Sequence, residues 1–175
     1  MLETDRLILR PIEKDDAQAL YEYSSDPLVT EYVSYNTYKS MDDAYDSLQH
    51  FFLNRDPNKH FNALAIILKE SQRMIGTVDS GPIQMGDTVE IGYVLPCDYW
   101  NQGLMTEAVM CYVRHLFEDK NIRRIEITHL KQNEGSRRVI EKVGFVYEGD
   151  RRQHTKFGDT YVDMPFYSLL KGDLK

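Results

Sequence analysis

The chain has 175 residues, of which 42% are hydrophobic, so it is long enough for one domain with a buried core. Its net charge of −7 argues against nucleic acid as a main partner, because phosphate binding favours a basic surface. An acidic balance suits a cationic or amine-bearing partner, although solubility alone explains it equally well. No apolar run approaches membrane-spanning length, and acidic residues follow Met1 where a signal peptide would be basic and then apolar. We predict a single domain over residues 1–175, in the cytoplasm, with no membrane or nucleic-acid partner.

Cysteine and histidine offer neither a metal site nor a nucleophile. Cys97 and Cys111 are too few for a disulfide framework or a set of metal ligands. Cys97 follows Pro96 but has no clearly placed histidine partner, so we interpret it as an ordinary small residue. His129 and His154 lack metal-like spacing. We therefore predict no metal.

Turn and capping signals delimit the elements of the first half. Pro11 closes a first strand, and Asp26-Pro27 ends a first helix. Ser40 with Asp43 indicates an N-cap that opens a second helix. The predicted elements are strands over residues 6–11, 61–68 and 74–80, helices over 14–24 and 40–54, and an ambiguous aromatic-rich stretch over 27–38 that fits a short helix and a loop.

The second half begins with a strand that alternates at period two. From Val89 to Leu95, apolar side chains occupy every second position, which indicates a half-buried strand, and Pro96 ends it. After Gly103 the apolar residues repeat at helical spacing as far as Phe117. The remaining predicted elements are a strand over residues 124–129, a helix over 133–143 capped by Gly144, and strands over 145–151 and 161–170.

The order of these elements predicts the fold class. Residues 89–129 read as strand, helix and strand, so the two strands should be parallel with a right-handed crossover, whereas the hairpins elsewhere are antiparallel. We predict an α/β fold with a central mixed sheet of about seven strands and helices on both faces.

The turn over residues 100–104 joins the central strand to the long helix. The N–H groups at a helix N-terminus have no partner within the helix, so the turn is a potential site for phosphate or another anion. A turn that merely connects two elements explains the same residues. The P-loop motif Gly-x-x-x-x-Gly-Lys-Ser/Thr and the Rossmann motif Gly-x-Gly-x-x-Gly are both absent, which excludes those two nucleotide loops.

Three separate segments together match one known family. Residues 90–93 read Glu-Ile-Gly-Tyr, residues 102–108 read Gln-Gly-Leu-Met-Thr-Glu-Ala, and residues 133–149 run from Asn-Glu-Gly-Ser to Phe-Val-Tyr-Glu-Gly. In this order and spacing they resemble the GNAT N-acetyltransferases of the RimJ/RimL-like branch. Both ends, residues 3–11 and 163–170, resemble that branch as well, so nearly the whole chain is covered. The resemblance implies a GNAT-like acyl-CoA N-acyltransferase fold.

The resemblance also implies a site for acetyl-coenzyme A where two parallel strands, near Tyr93 and Ile127, splay apart. Backbone groups after Gly92 would pair with the pantetheine arm, the amides of residues 102–106 would hold the pyrophosphate, and Asn133 would hydrogen-bond the pantetheine. The residues so assigned to coenzyme binding are Tyr93, Val94, Leu95, Gln102, Gly103, Leu104, Met105, Thr106, Asn133 and Ser136.

Two residues of the turn region differ from the usual family pattern, and a third is negatively charged near the anion site. Asn101 stands where glycine is more frequent, which is tolerable because asparagine enters left-handed conformations readily. Met105 stands where a small residue is usual, so its side chain must point into the core. Glu107 brings negative charge near the anion site and should project away from it.

The chemistry of amine acetylation needs a base, an oxyanion donor and a group at the leaving sulfur. The resemblance implies that Glu90 is the general base, although a place on a solvated sheet face is the competing interpretation. The N–H of Val94 or a neighbour is the expected oxyanion donor. Ser136 is matched to the residue at the leaving thiolate, or else it only satisfies a backbone N–H in the first helical turn.

The predicted function is transfer of an acetyl group from acetyl-coenzyme A to a primary amine by direct attack. The acceptor is a protein N-terminus, such as that of a ribosomal protein, or a small amine, and Tyr32, Tyr35 and Tyr38 either line its pocket or belong to the core. The alternative is a non-catalytic module of the same fold that senses acetyl-coenzyme A. A monomer and a homodimer both remain open.

Overall fold

The computed structural model describes residues 1–53, 63–81 and 87–174. The strands, in chain order, are β1 (Leu2–Glu3), β2 (Leu7–Pro11), β3 (Ala63–Leu68), β4 (Arg73–Ser80), β5 (Thr88–Val94), β6 (Arg124–Thr128), β7 (Val146–Phe157) and β8 (Thr160–Leu170). The α-helices are α1 (Ala17–Ser24), α2 (Pro27–Thr30), α3 (Met41–Ser47), α4 (Leu104–Leu116) and α5 (Glu134–Val143).

The eight strands of the described residues belong to one mixed sheet in the order β1-β2-β3-β4-β5-β6-β8-β7. The pair β5/β6 is parallel and the other neighbours are antiparallel. The predicted mixed α/β fold is therefore confirmed, with one strand more than predicted. The additional strand is Leu2–Glu3, and two residues are too few for an alternating pattern to be visible in a sequence.

Helices cover both faces of the sheet, as predicted. One core cluster joins α4 and α5 to the sheet, and α4 contributes the apolar stripe from Met105 to Leu116 that its helical spacing predicted. On the opposite face, a second cluster joins α1 and α3 to β3, with Ala65 and Ile67 at its centre. Because the side chains of a strand alternate between faces, the strands β2, β3, β4 and β5 contribute to both clusters.

Two predicted elements differ in length from those in the structure. The helix predicted over residues 40–54 begins with the expected Ser40–Asp43 capping box but becomes a π-helix over Leu48–Leu53, and residue 54 lies outside the described residues, as do residues 61–62 of the next predicted strand. The strand predicted over 145–151 runs instead from Val146 to Phe157. Irregular pairing with β8 at two points lets β7 continue where simple alternation ends.

Within the three described ranges, no helix combines the length and the apolar character that a membrane crossing requires.

Candidate active site

The central feature of the site is a fork between β5 and β6. These parallel strands are paired only at Thr88–Arg124, Val89–Ile125 and Glu90–Glu126. Beyond Glu90, β5 continues to Val94 and β6 to Thr128 without pairing with each other. The splay that the family resemblance implies is therefore present, and Glu90 lies at its apex.

The strand register decides which backbone groups of β5 face this gap. The N–H of Gly81 donates to the carbonyl oxygen of Glu90 at 2.7 Å, which turns the backbone groups of Glu90 towards β4. Hydrogen-bonded and non-hydrogen-bonded pairs alternate along an antiparallel ladder, so Val94, four residues after Glu90, also faces β4. The carbonyl oxygen of Val94 lies so close to Gly76 that a Cβ there would collide with it. The register thus points the backbone of Tyr93, rather than that of Val94, into the gap.

The turn before α4 presents a row of amides that have no acceptor among the described residues. Asn101 and Gly103 both adopt left-handed conformations, with φ of 58° and 76°, as the turn requires. The first amide to bond back is that of Glu107, which donates to Gly103 at 3.1 Å. In the part of the chain that the structure describes, no hydrogen bond engages the amides of residues 102–106. They form a concave, positively polarised end of a 13-residue helix that suits an anion.

The two side chains that could obstruct this turn point away from it. Met105 is 5% exposed and belongs to the core beneath α4, as predicted. Glu107 accepts hydrogen bonds from the hydroxyl of Thr4 at 2.5 Å and from Nε of Arg6 at 2.7 Å. Burial raises the pKa of Glu107, but these hydrogen bonds outweigh it and leave the pKa below its ordinary value. The carboxylate is thus ion-paired rather than opposed to a bound anion.

Arg6 is a site residue that the sequence did not indicate. Its Nη1 donates to the carbonyl oxygen of Gln102 at 2.9 Å, and its Nη2 lies 3.6 Å from the position that a Cβ would occupy on Gly103. The guanidinium therefore brings positive charge to the amides of the turn. Nearly one hundred residues separate Arg6 from Gln102, so no local pattern could reveal the contact.

At the far side of the gap, Tyr93 and Ser136 are joined through their hydroxyl groups. The two oxygens lie 2.9 Å apart, and Tyr93 also donates to the backbone carbonyl of Ser136 at 3.2 Å. Asn133 caps α5, because its Oδ1 accepts from the N–H of Ser136 at 2.9 Å. Burial raises the pKa of Tyr93 well above its ordinary value, and its bond to Ser136 offsets this only in part. From sequence, only the backbone groups of Tyr93 were assigned to the site, and the structure adds the contact of its phenol hydroxyl with Ser136.

Glu90 points to the face of the sheet that carries α1 and α3. Its neighbours Val89 and Ile91 belong to the core under α4 and α5, and Val94 packs on the opposite side. The side chain is half-buried, and the pKa of Glu90 is raised, first by burial and then by the charge of Glu126. The fully solvated face considered from sequence therefore does not describe it. A carboxylate with a raised pKa is a better proton acceptor at neutral pH.

Comparison with known proteins identifies this arrangement. The model of the acetyltransferase (GNAT) domain matches residues 6–146. The chain belongs to the GNAT acetyltransferase family. It is similar to the uncharacterized N-acetyltransferase p20 of Bacillus licheniformis, with 33% identity over 171 residues, 97% of this chain and 96% of that protein. Together these matches establish an N-acetyltransferase enzyme.

Solved structures of GNAT proteins share the fold. A GNAT-family acetyltransferase from Bacillus anthracis gives a TM-score of 0.87 at 25% identity, with 98% of each chain covered. RimL, the ribosomal L7/L12 α-N-protein acetyltransferase solved in complex with coenzyme A, gives 0.85 at 20% identity, with 95% of each chain covered. At this identity the likeness to RimL shows a shared fold.

Trp100 and two of the side chains discounted from sequence, His129 and Cys97, are accounted for by the structure of this GNAT enzyme. Trp100 holds the turn, because its indole N–H donates to the carbonyl oxygen of Leu95 at 2.7 Å. His129 is buried and its Nδ1 lies 2.8 Å from the carbonyl oxygen of Leu130. Burial, together with Asp26, raises the pKa of the Cys97 thiol, which makes it a poorer nucleophile. Among the described residues, no three His, Cys, Asp or Glu side chains are grouped to hold a metal ion.

The aromatic residues of the loop after α2 divide between the two interpretations. Tyr32 packs against the small cluster of Leu130, Met164 and Phe166, at the edge of the Glu90 face. Tyr35 is held by Ser24, with their hydroxyl oxygens 3.1 Å apart, and burial raises its pKa to about 12. Tyr32 thus lies on the sheet face of Glu90, as the pocket interpretation requires, whereas Tyr35 packs against α1, as the core interpretation requires.

Proposed function

We propose that this GNAT enzyme transfers an acetyl group from acetyl-coenzyme A to a primary amine by direct attack, with Glu90 as general base. The observation that carries the proposal is the fork itself, which has a carboxylate of raised pKa at its apex and unbonded amides at its open end. The coenzyme A held by RimL supports the choice of donor. We further propose that residues 1–175 act as one domain.

The residues of the fork fit the parts of a long nucleotide thioester. The amides of residues 102–106, with Arg6 beside them, suit the pyrophosphate, and Gly103 leaves room for close approach. Backbone groups of Tyr93 face the gap and can pair with the pantetheine amides, as an added strand would. Asn133 uses its Oδ1 to cap α5, so its Nδ2 is the atom left to donate to pantetheine.

The reaction needs one proton removed and another supplied. A lysine-like amine has a pKa of about 10.4 and is protonated at neutral pH, so Glu90 takes its proton, directly or through water. The amine nitrogen then bonds to the acetyl carbon, the carbonyl oxygen accepts from the N–H of Tyr93, and the carbon–sulfur bond breaks. The thiolate, with a pKa of about 8.5, leaves in contact with Ser136, whose hydroxyl can donate to the sulfur.

The acceptor is an amine that reaches the face of α1 and α3. RimL is named for acetylating a ribosomal protein N-terminus, which supports a protein N-terminus as acceptor, and a small amine fits the same chemistry. A module that binds acetyl-coenzyme A without catalysis is the second candidate. The raised pKa of Glu90 favours the enzyme, because a module that only binds acetyl-coenzyme A does not need a half-buried base.

Release of free coenzyme A thiol in the presence of mixed amines tests the proposal. We expect the wild-type protein to release thiol at neutral pH, and Glu90→Gln to lower turnover with little change in coenzyme affinity. Glu141→Gln is the matched control, since this glutamate is exposed on α5, where it pairs with Arg137. Coenzyme binding without amine-dependent thiol release in the wild type would instead favour the sensor.

A further inference from the structure

A second carboxylate shares the apex of the fork with Glu90. Glu126 is the residue paired with Glu90 in the last rung between β5 and β6. Its neighbours Ile125 and Ile127 belong to the core under α4 and α5, so Glu126 points to the same face as Glu90. Paired residues on one face of a sheet lie roughly 5 Å apart, which is close enough for two carboxylates to interact strongly.

Glu126 differs from Glu90 in having a cation of its own. Nε and Nη2 of Arg124 lie 2.8 Å from Oε1 of Glu126. The same guanidinium binds Glu148, which also accepts from the hydroxyl of Ser168 at 2.8 Å. These bonds hold the pKa of Glu148 at about 2, with Arg124 as the main cause. Arg124 is thus shared between Glu126 and Glu148, and neither of these two carboxylates is Glu90.

We propose that Glu126 is a positioning residue for the general base. Fixed by Arg124 at the rung where the strands part, it makes Glu90 the carboxylate that accepts the amine proton. The proposal rests on the proposed acetyltransfer and adds a residue to it. Two carboxylates in one site cannot both be ionised easily, and the one with no ion pair among the described residues, Glu90, carries the titrating proton.

The charges around Glu90 act on its pKa in opposite directions, so the proposal predicts the direction of the pKa shift for each substitution. Burial and Glu126 raise the pKa of Glu90, whereas His154 and Arg151 of β7 lower it. Among the described residues, the other charged and titratable groups on this face include Arg124, Glu148, Tyr32, Tyr35 and Asp79 of β4, whose carboxylate lies beside Gly92. Removal of Glu126 should therefore move the titration of Glu90 to lower pH, and removal of Arg151 should move it to higher pH.

The test is the pH dependence of kcat/KM for the amine in Glu126→Gln, Arg151→Gln and Glu141→Gln. We expect the acidic limb to shift to lower pH in Glu126→Gln, to shift to higher pH in Arg151→Gln, and to stay in place in the exposed control. General disturbance of the sheet would move the first two in the same direction. An unmoved limb in Glu126→Gln would overturn the proposal.

A second measurement keeps the proposal separate from catalysis itself. Carbon-13 NMR of the Glu90 carboxyl group follows its titration directly, with Glu90→Gln used to assign the signal. We expect the Glu90 titration to move to lower pH in Glu126→Gln even if that variant is inactive. If the wild type transfers no acetyl group, the proposed function fails. If it does so and the Glu90 titration is the same in Glu126→Gln, only the role of Glu126 fails.

Discussion

At the scale of single residues, the half-buried position of Glu90 makes it a better base but lowers the stability of the folded protein at neutral pH. Its pKa is raised in the folded protein, so the folded state binds the proton more tightly than the unfolded chain does. Below the ordinary pKa of a glutamate, Glu90 is protonated in both the folded and the unfolded state, so its ionisation does not lower the free energy of unfolding. As the pH rises through the raised pKa, the folded protein must ionise a half-buried group, and stability falls.

Glu90→Gln should therefore be more stable than the wild type at neutral pH while it is less active. We expect its midpoint in urea to be higher at pH 7 and the two midpoints to approach each other below pH 4, which chemical denaturation at both pH values measures. If Glu90→Gln is less stable than the wild type at pH 7, the surroundings stabilise the ionised glutamate, which would contradict a raised pKa.

The hydroxyl pair of Tyr93 and Ser136 gives a second prediction. Tyr93→Phe keeps the ring but leaves two hydrogen bonds unmade, so we expect a loss of about 1 kcal/mol in the free energy of unfolding. Because both hydroxyls act together, Tyr93→Phe combined with Ser136→Ala should cost less than the sum of the two changes. A double-mutant cycle in unfolding free energy and in kcat checks this, and additive effects would show that the contact is incidental.

At the scale of elements, the junction of β5 and α4 depends on the conformation of Gly103. A side chain there would have φ of 76° and would extend towards Arg6 and the open amides. Gly158, in the turn between β7 and β8, has a similar φ of 58° and an open surrounding, so it shares the strain without the site. Comparing substitutions at these two glycines therefore separates the cost of backbone strain from the effect of blocking the ligand.

We expect Gly103→Val and Gly158→Val to lose stability by similar amounts, about 1–2 kcal/mol for a left-handed residue. Only Gly103→Val should bind acetyl-coenzyme A more weakly, by tenfold or more, because its side chain blocks the approach to the amides. Calorimetric titration of both variants decides this. Unchanged affinity in Gly103→Val would remove the turn from the coenzyme site.

Element positions followed from sequence wherever the signal was local. The apolar repeat after Gly103 gave α4 to within a residue, and Pro96 and Gly144 marked true ends. Contacts between distant segments left no such signal. The pairing of Arg6 with Glu107 joins the start of β2 to α4, and the Tyr93–Ser136 bond joins β5 to α5, so both depended on the tertiary fold.

At the scale of the whole molecule, the described strands include one parallel pair, β5/β6, and the proposed site lies where this pair splays apart. Antiparallel partners on either side, β4 and β8, hold the two strands while their ends part. The family resemblance predicted this fork, whereas alternation alone predicted only that the strands are parallel. How far the pairing extends depends on side chains at the apex, and the sequence pattern does not reveal where it stops.

Residue-resolved amide hydrogen exchange, with and without acetyl-coenzyme A, tests most directly whether the fork receives the coenzyme. We expect the donor to slow exchange at the amides of residues 102–106, which have no acceptor among the described residues, and at the amide of Tyr93, which the strand register directs into the gap. Amides on the outer strands β1 and β7 should exchange as before. Saturating acetyl-coenzyme A that leaves the turn and Tyr93 unprotected would contradict the account.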